Sequence, residues 1–196
     1  PELLVARGGK TVRARPLAGT IARRSDPAAD EEAARSLLVS EKDRAEHRLV
    51  VKAVRAALTP VCTSLEIDEE PHTLATSKVW HLATNVLGET RDGLDALSLV
   101  SLLHPTPAVC GTPREAARAA IKELEQIERA LYAGAVGWMD ARGDGEWAVA
   151  LRCAEMQGRI ALLFAGAGIV ADSDPEAELA ETDAKFRSML EALGYA

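Results

Sequence analysis

A chain of 196 residues, 47% hydrophobic and 27% charged, is long enough to bury the core of one domain. Its formal net charge of −7 argues against a nucleic-acid surface, which is normally basic. The apolar runs fall short of a membrane span. Cys62, Cys110 and Cys153 form no CxxC pair. That argues against a thiolate zinc site or disulfide framework and suits free thiols in a reducing cytoplasm. The opening residues show no leader pattern of charge followed by an apolar run, so a cytoplasmic location is expected.

In chain order, residues 2–7 and 10–15 have strand character, with Gly8-Gly9 as a hairpin turn. Residues 16–20 read as a tight loop and 22–29 as an exposed one. Asp30 is expected to cap a short helix to Val39, and Ser40-x-x-Asp43 to restart a helix. Leu49, Val50, Ala53, Val54, Ala57 and Leu58 continue a helical stripe until Thr59-Pro60 ends it. Residues 64–76 suggest short extended pieces. Val79 to Leu87 reads as one buried strand, and Asp95 to Leu103 as a short helix stopped by His104-Pro105-Thr106-Pro107.

Pro113 opens a predicted long helix to about Leu131, with Ala117, Ala120, Ile121, Leu124, Ile127 and Leu131 facing inward. Three hairpin-linked strands follow, at about 134–140, 146–156 and 159–165. The last helix begins at Pro175, capped by Ser173 or Asp174, and ends at Gly194. Mixed helices and antiparallel strands imply an α+β fold rather than a doubly wound parallel sheet.

Candidate chemistry concentrates in a few segments. Asp43 and Glu46, three residues apart, share one helix face and can ligate a hard cation. The same pair also suits a solvated, salt-bridged helix start. Glu178 and Glu181 repeat the spacing, with Lys185 one turn further on, so a surface ion pair is the alternative there. Gly166 and Gly168 let backbone N–H groups approach an anion, or mark a bulge. Arg152, in an apolar strand, is either at a strand edge or aimed into a pocket as a carboxylate partner. His81 reads as a satisfied core histidine or as a pocket residue, His104 as a helix-end cap, and His47 as an orienting or screening neighbour of Glu46. Two acidic pairs with cationic and glycine elements between them suggest a Mg²⁺-dependent site for a small carboxylated substrate.

Several motifs occur together along the whole chain. They include Pro1-Glu2-Leu3-Leu4, Pro16-Leu17-Ala18-Gly19-Thr20, Ser40-Glu41-Lys42-Asp43-Arg44-x-Glu46-His47 and Trp80-His81-Leu82-Ala83-Thr84. His104-Pro105-Thr106-Pro107-Ala108, Gly145-Glu146-Trp147, Leu151-Arg152-Cys153 and Phe164-Ala165-Gly166-Ala167-Gly168-Ile169-Val170 follow in order. Together they resemble the chorismate-utilising enzymes, and most closely the isochorismate synthases. The resemblance implies the α+β chorismate-enzyme fold, with helices packed around antiparallel sheets. It implies conversion of chorismate to isochorismate, with water added at C2 and the C4 hydroxyl lost. It implies Mg²⁺ held by Glu46 and Glu181 and supported by Asp43 and Glu178, and Glu2 as the general acid.

Gly19, Thr20, Arg152, Gly166, Gly168 and Lys185 match groups that grip the substrate carboxylates, and His81 and Thr84 match the strand lining the ring. The resemblance also implies that 1–196 is the C-terminal part of a catalytic domain. The N-terminal half, absent from this chain, would supply part of the sheet and the lysine base for water. This chain alone is therefore expected to be inactive. The product is expected to serve 2,3-dihydroxybenzoate siderophore synthesis or menaquinone synthesis. Salicylate, anthranilate and aminodeoxychorismate synthases, and a non-catalytic fragment that binds Mg²⁺ and chorismate, are the competing readings.

Overall fold

The computed structural model describes residues 2–171 and 173–195. Pro1, the first residue of the Pro-Glu-Leu-Leu run, lies outside the described residues, as do Asp172 and Ala196. The fold is α+β, with helices against antiparallel sheets. A six-stranded sheet has the order β4-β7-β2-β1-β9-β8. Its strands are β1 (Glu2–Gly8), β2 (Thr11–Ala14), β4 (Cys62–Ile67), β7 (Val86–Thr90), β8 (Ala135–Met139) and β9 (Gly145–Val149). A three-stranded sheet, β3-β6-β5, uses Leu17–Ala22, Val79–Ala83 and His72–Ala75. A separate two-stranded ribbon pairs β10 (Cys153–Gln157) with β11 (Ile160–Phe164).

The helices are α1 (Pro27–Val39), α2 (Glu41–Leu58), α3 (Ala96–Leu103), α4 (Arg114–Leu124) and α5 (Pro175–Ala192). Ser40, Asp95 and Asp174 accept from the backbone N–H three residues on, the expected use of short polar side chains at helix starts. Helices α2 and α3 close one face of the large sheet. Val54, Leu58, Leu99, Val100 and Leu103 meet Leu4, Val5, Val12, Val86 and Val149 there. Leu58 and Leu99 are fully buried, each contributing about 1.5–3 kcal/mol by leaving water.

The structure corrects five sequence expectations. Residues 17–22 form β3 instead of a loop. Gly19, at φ 66°, shifts the register against β6 and lets the strand pass tightly over α2. Asp26, not Asp30, caps α1. Asp30 is buried and accepts from Arg23, the Arg24 N–H and Trp80 Nε1, so it anchors the preceding loop. The run 79–87 divides at Thr84-Asn85 into strands of two different sheets.

The run 146–156 likewise breaks at 150–152, where Arg152 adopts φ 49° and the chain leaves the large sheet for the ribbon. Strand β10 pairs with β11 and not with β9, so the meander is two separate hairpins. Helix α4 stops at Leu124, and the segment to 134 turns through left-handed Ala130 and Ala133. No residue of α4 is buried among the described residues, so its apolar stripe is not an inner face here.

Candidate active site

Five elements converge. Strand β3 carries Gly19 and Thr20, α2 carries Asp43 and Glu46, and β6 leads to His81 and Thr84. The bend before β10 holds Arg152, and the turn 164–170 runs into α5 with Glu178, Glu181 and Lys185. Close approaches fix how they meet. A Cβ on Gly19 would lie 2.8 Å from Asp43 Oδ1, and a Cβ on Gly168 would lie 3.1 Å from Glu46 Oε1. The two carboxylates of α2 therefore face two glycines that leave room for them. Lys185 donates to the Gly166 carbonyl at 2.9 Å and pairs with Glu181 at 2.6 Å. Lys42 bridges the two helices through buried Glu178 at 3.2 Å.

The electrostatics show that these groups share one field. Burial, with the charges of Asp43 and Glu181, pushes the Glu46 carboxyl up, and Lys185 and Lys42 oppose the shift. Arg152 is half-buried. Its desolvation lowers its pKa, and the charge of Glu181 opposes that. His81 Nδ1 lies 3.1 Å from the Gly19 carbonyl and 3.0 Å from Thr20 Oγ1. A carbonyl only accepts, so Nδ1 carries the proton and Nε2 is left as an acceptor. Burial chiefly lowers the His81 pKa, and the Gly19 hydrogen bond opposes it, so the ring is neutral near pH 7. Thr84 is buried and bonds His47 Nε2 at 2.7 Å, tying α2 to the end of β6. His47 is itself buried, its pKa held down at about 4 chiefly by desolvation. His47 thus braces α2 rather than screening Glu46.

Glu2 lies at the start of β1, only 6% exposed. Burial raises its carboxyl to about 7, while the Leu17 N–H, donating to Oε1 at 2.9 Å, works the other way. Such a group holds a proton near neutral pH and can release it.

Among the described residues, no three His, Cys, Asp or Glu side chains are gathered closely enough to enclose a metal ion. The donor chemistry still fits Mg²⁺. Glu46 is a half-buried carboxylate crowded by Asp43 and Glu181, and Mg²⁺ takes one or two protein carboxylates, filling its shell with water and substrate oxygen. Sequence reasoning missed two participants. Lys42 appeared only as part of a charge cluster. Tyr132 carries no local motif, yet its ring stacks on Phe164 at 5.4 Å and its hydroxyl lies against Gly166.

Residues 1–194 match the family described as chorismate binding enzyme. The chain belongs to that family. It is 52% identical over 195 residues to isochorismate synthase DhbC of Bacillus subtilis, covering 99% of this chain and 49% of that protein. It is 44% identical over 194 residues to isochorismate synthase EntC of Escherichia coli, covering 99% and 50%. Among solved structures, a 2,3-dihydroxybenzoate-specific isochorismate synthase from Bacillus anthracis superposes with a TM-score of 0.97 at 51% identity, covering 100% of this chain and 52% of that one. Anthranilate synthase component I from Streptococcus pneumoniae gives 0.84 at 34% identity, covering 96% and 42%. The chain thus spans about half the length of the relatives it matches. No helix among the described residues is long and apolar enough to cross a membrane.

Proposed function

We propose that the protein carrying this chain is an isochorismate synthase that binds chorismate and isomerises it to isochorismate with Mg²⁺. The observation that carries the reaction type is Glu2: a buried carboxyl held at about 7, accepting from the Leu17 N–H. A departing C4 hydroxyl needs a proton, and Glu2 is the acid that would supply it, so the hydroxyl leaves as water. Relatives at 44–52% identity over the whole chain, all named as isochorismate synthases, support water over ammonia as the nucleophile.

Arg152 and Lys185, with backbone N–H groups around Gly166, Gly168 and Gly19-Thr20, would grip the substrate carboxylates by charge-assisted hydrogen bonds. His81 and Thr84 would line the ring. Glu46 and Glu181 would hold Mg²⁺, with Asp43 and Glu178 supporting it through water, and the ion's charge would neutralise the ring carboxylate. We assign the base that deprotonates water to no residue of this chain. We place it in the part of the relatives' length that this chain does not cover. On this reading residues 1–196 form the C-terminal part of a chorismate-binding catalytic domain that needs that further part for turnover. The 51% identity to a 2,3-dihydroxybenzoate-specific synthase supports a siderophore branch, with menaquinone synthesis as the alternative.

The test is to incubate the protein with chorismate, Mg²⁺ and ammonium and identify products by NMR. Isochorismate is expected. Anthranilate or salicylate as the main product would overturn the assignment, and binding without turnover would favour a non-catalytic role.

A further inference from the structure

The turn between α4 and β8 is held from two sides by residues that the chemistry above does not use. Ala130 and Ala133 sit at φ 46° and 62°, left-handed angles costly to any residue with a Cβ. Such a conformation persists where its surroundings enforce it. Two hydrogen bonds tie it to the loop after α3, one from each side. His104 Nε2 lies 2.7 Å from the Ala133 carbonyl. A carbonyl only accepts, so this nitrogen is the protonated one. Arg129 Nη1 donates to the Val109 carbonyl at 2.8 Å, and its guanidinium lies 5.8 Å from the Tyr132 ring centre.

Tyr132 is therefore held between Arg129 and Phe164, the latter stacked at an interplanar angle of 16°. Its hydroxyl lies 2.8 Å from where a Gly166 Cβ would project, and the Gly166 carbonyl accepts from Lys185. A chain of contacts thus runs from the His104 ring to the Lys185 ammonium.

We propose that His104 is a positioning residue. Its bond to the Ala133 carbonyl holds the strained turn that sets Tyr132 against Phe164 and Gly166, and through them the Gly166 backbone and Lys185. The proposal rests on the reading of that backbone and Lys185 as the wall that grips chorismate. Gln keeps a donor near the position of His Nε2, and Leu does not.

The experiment compares His104→Gln with His104→Leu in the protein carrying this chain, by two readouts. One is the NMR resonance of Tyr132 in ¹³C-tyrosine-labelled protein, assigned by its loss in Tyr132→Phe; Phe164 stacking marks it with a ring-current shift. The other is kcat/KM for chorismate. His104→Leu is expected to move the resonance and lower kcat/KM about 10- to 100-fold, as a small misplacement of binding groups does. His104→Gln is expected to restore both. A resonance unmoved in His104→Leu would overturn the proposal whatever the rate. Equal losses in both variants, with thermal stability lowered alike, would show a merely structural role and overturn it too. Wild-type protein that leaves chorismate unchanged would overturn the proposed activity instead, and the resonance would still decide the His104 proposal.

Discussion

Residues 2–103 and residues 110–195 build the two walls of the site on different footings. The first region supplies Glu2, Asp43 and Glu46 from β1 and α2, which share the main packed core, and Gly19 and His81 from the three-stranded sheet; the second region adds Val149 to that core and packs Ala135, Trp147 and Leu151 against it. The second supplies Arg152, Gly166, Gly168, Glu181 and Lys185 from a ribbon, a turn and a helix that leave Met156, Ile160, Leu162, Val170 and Leu179 exposed. The lesson is a division of labour. Glu2 is fixed by burial and the half-buried α2 carboxylates by a helix rooted in the core, and the groups that would grip anions sit on elements that leave more apolar surface exposed. Substitutions on the first wall should change stability and rate together, and those on the second should change ligand binding with little loss of stability.

The largest effect is expected at Glu2. Glu2→Gln should lower kcat on chorismate about 10²- to 10⁴-fold, the worth of a positioned acid. Its linkage to stability follows from the direction of the shift. The folded carboxyl is raised from 4.5 to about 7, so the unfolded chain loses this proton first as pH rises. Stability from this group is full below 4.5, falls by roughly 3 kcal/mol as pH passes through 7, and is level above that. Denaturant titrations at several pH values should show this slope in wild type and its disappearance in Glu2→Gln.

Next comes Arg152→Ala on the thin wall. Loss of a charge-assisted bond should lower kcat/KM for chorismate about 10- to 100-fold, mostly through KM. The denaturation midpoint should scarcely move. A large fall in stability would erase the contrast between the walls. Glu181→Gln should abolish the extra thermal stabilisation that Mg²⁺ and chorismate give together, while leaving the unliganded protein near wild-type stability. Gly19→Ala returns to the firm wall. At φ 66°, with its new Cβ 2.8 Å from Asp43 Oδ1, it should cost about 1–2 kcal/mol of unfolding free energy. The smallest change belongs to Val136→Ser on exposed β8, expected to stay within about 0.5 kcal/mol.

Much of this was legible in the sequence where local chemistry is unambiguous. Gly8-Gly9 marked the β1–β2 hairpin, Ser40 and Asp174 marked helix starts, and the stripe from Leu49 to Leu58 marked α2. The breaks inside the apolar runs at 84–85 and 150–152 were not legible. A strand that changes sheet keeps the same hydrophobic composition on both sides of its corner, and only the tertiary hydrogen bonds reveal the turn. Asp30 misled because its value as a cap and its value as a buried partner for Arg23 and Trp80 rest on the same short carboxylate. In the site, the paired acids on α2 and α5 and the GxG turn were visible as spacings. Tyr132 was not, since only folding brings it to Phe164 and Gly166.

The most direct test is the pH dependence of kcat/KM for chorismate in the protein carrying this chain. A buried Glu2 acting as the acid predicts a rate that falls as pH rises through about 7, with that limb gone in Glu2→Gln. A profile flat from about pH 6 to 9 would contradict it, because no group with a pKa in that range would then be donating the proton.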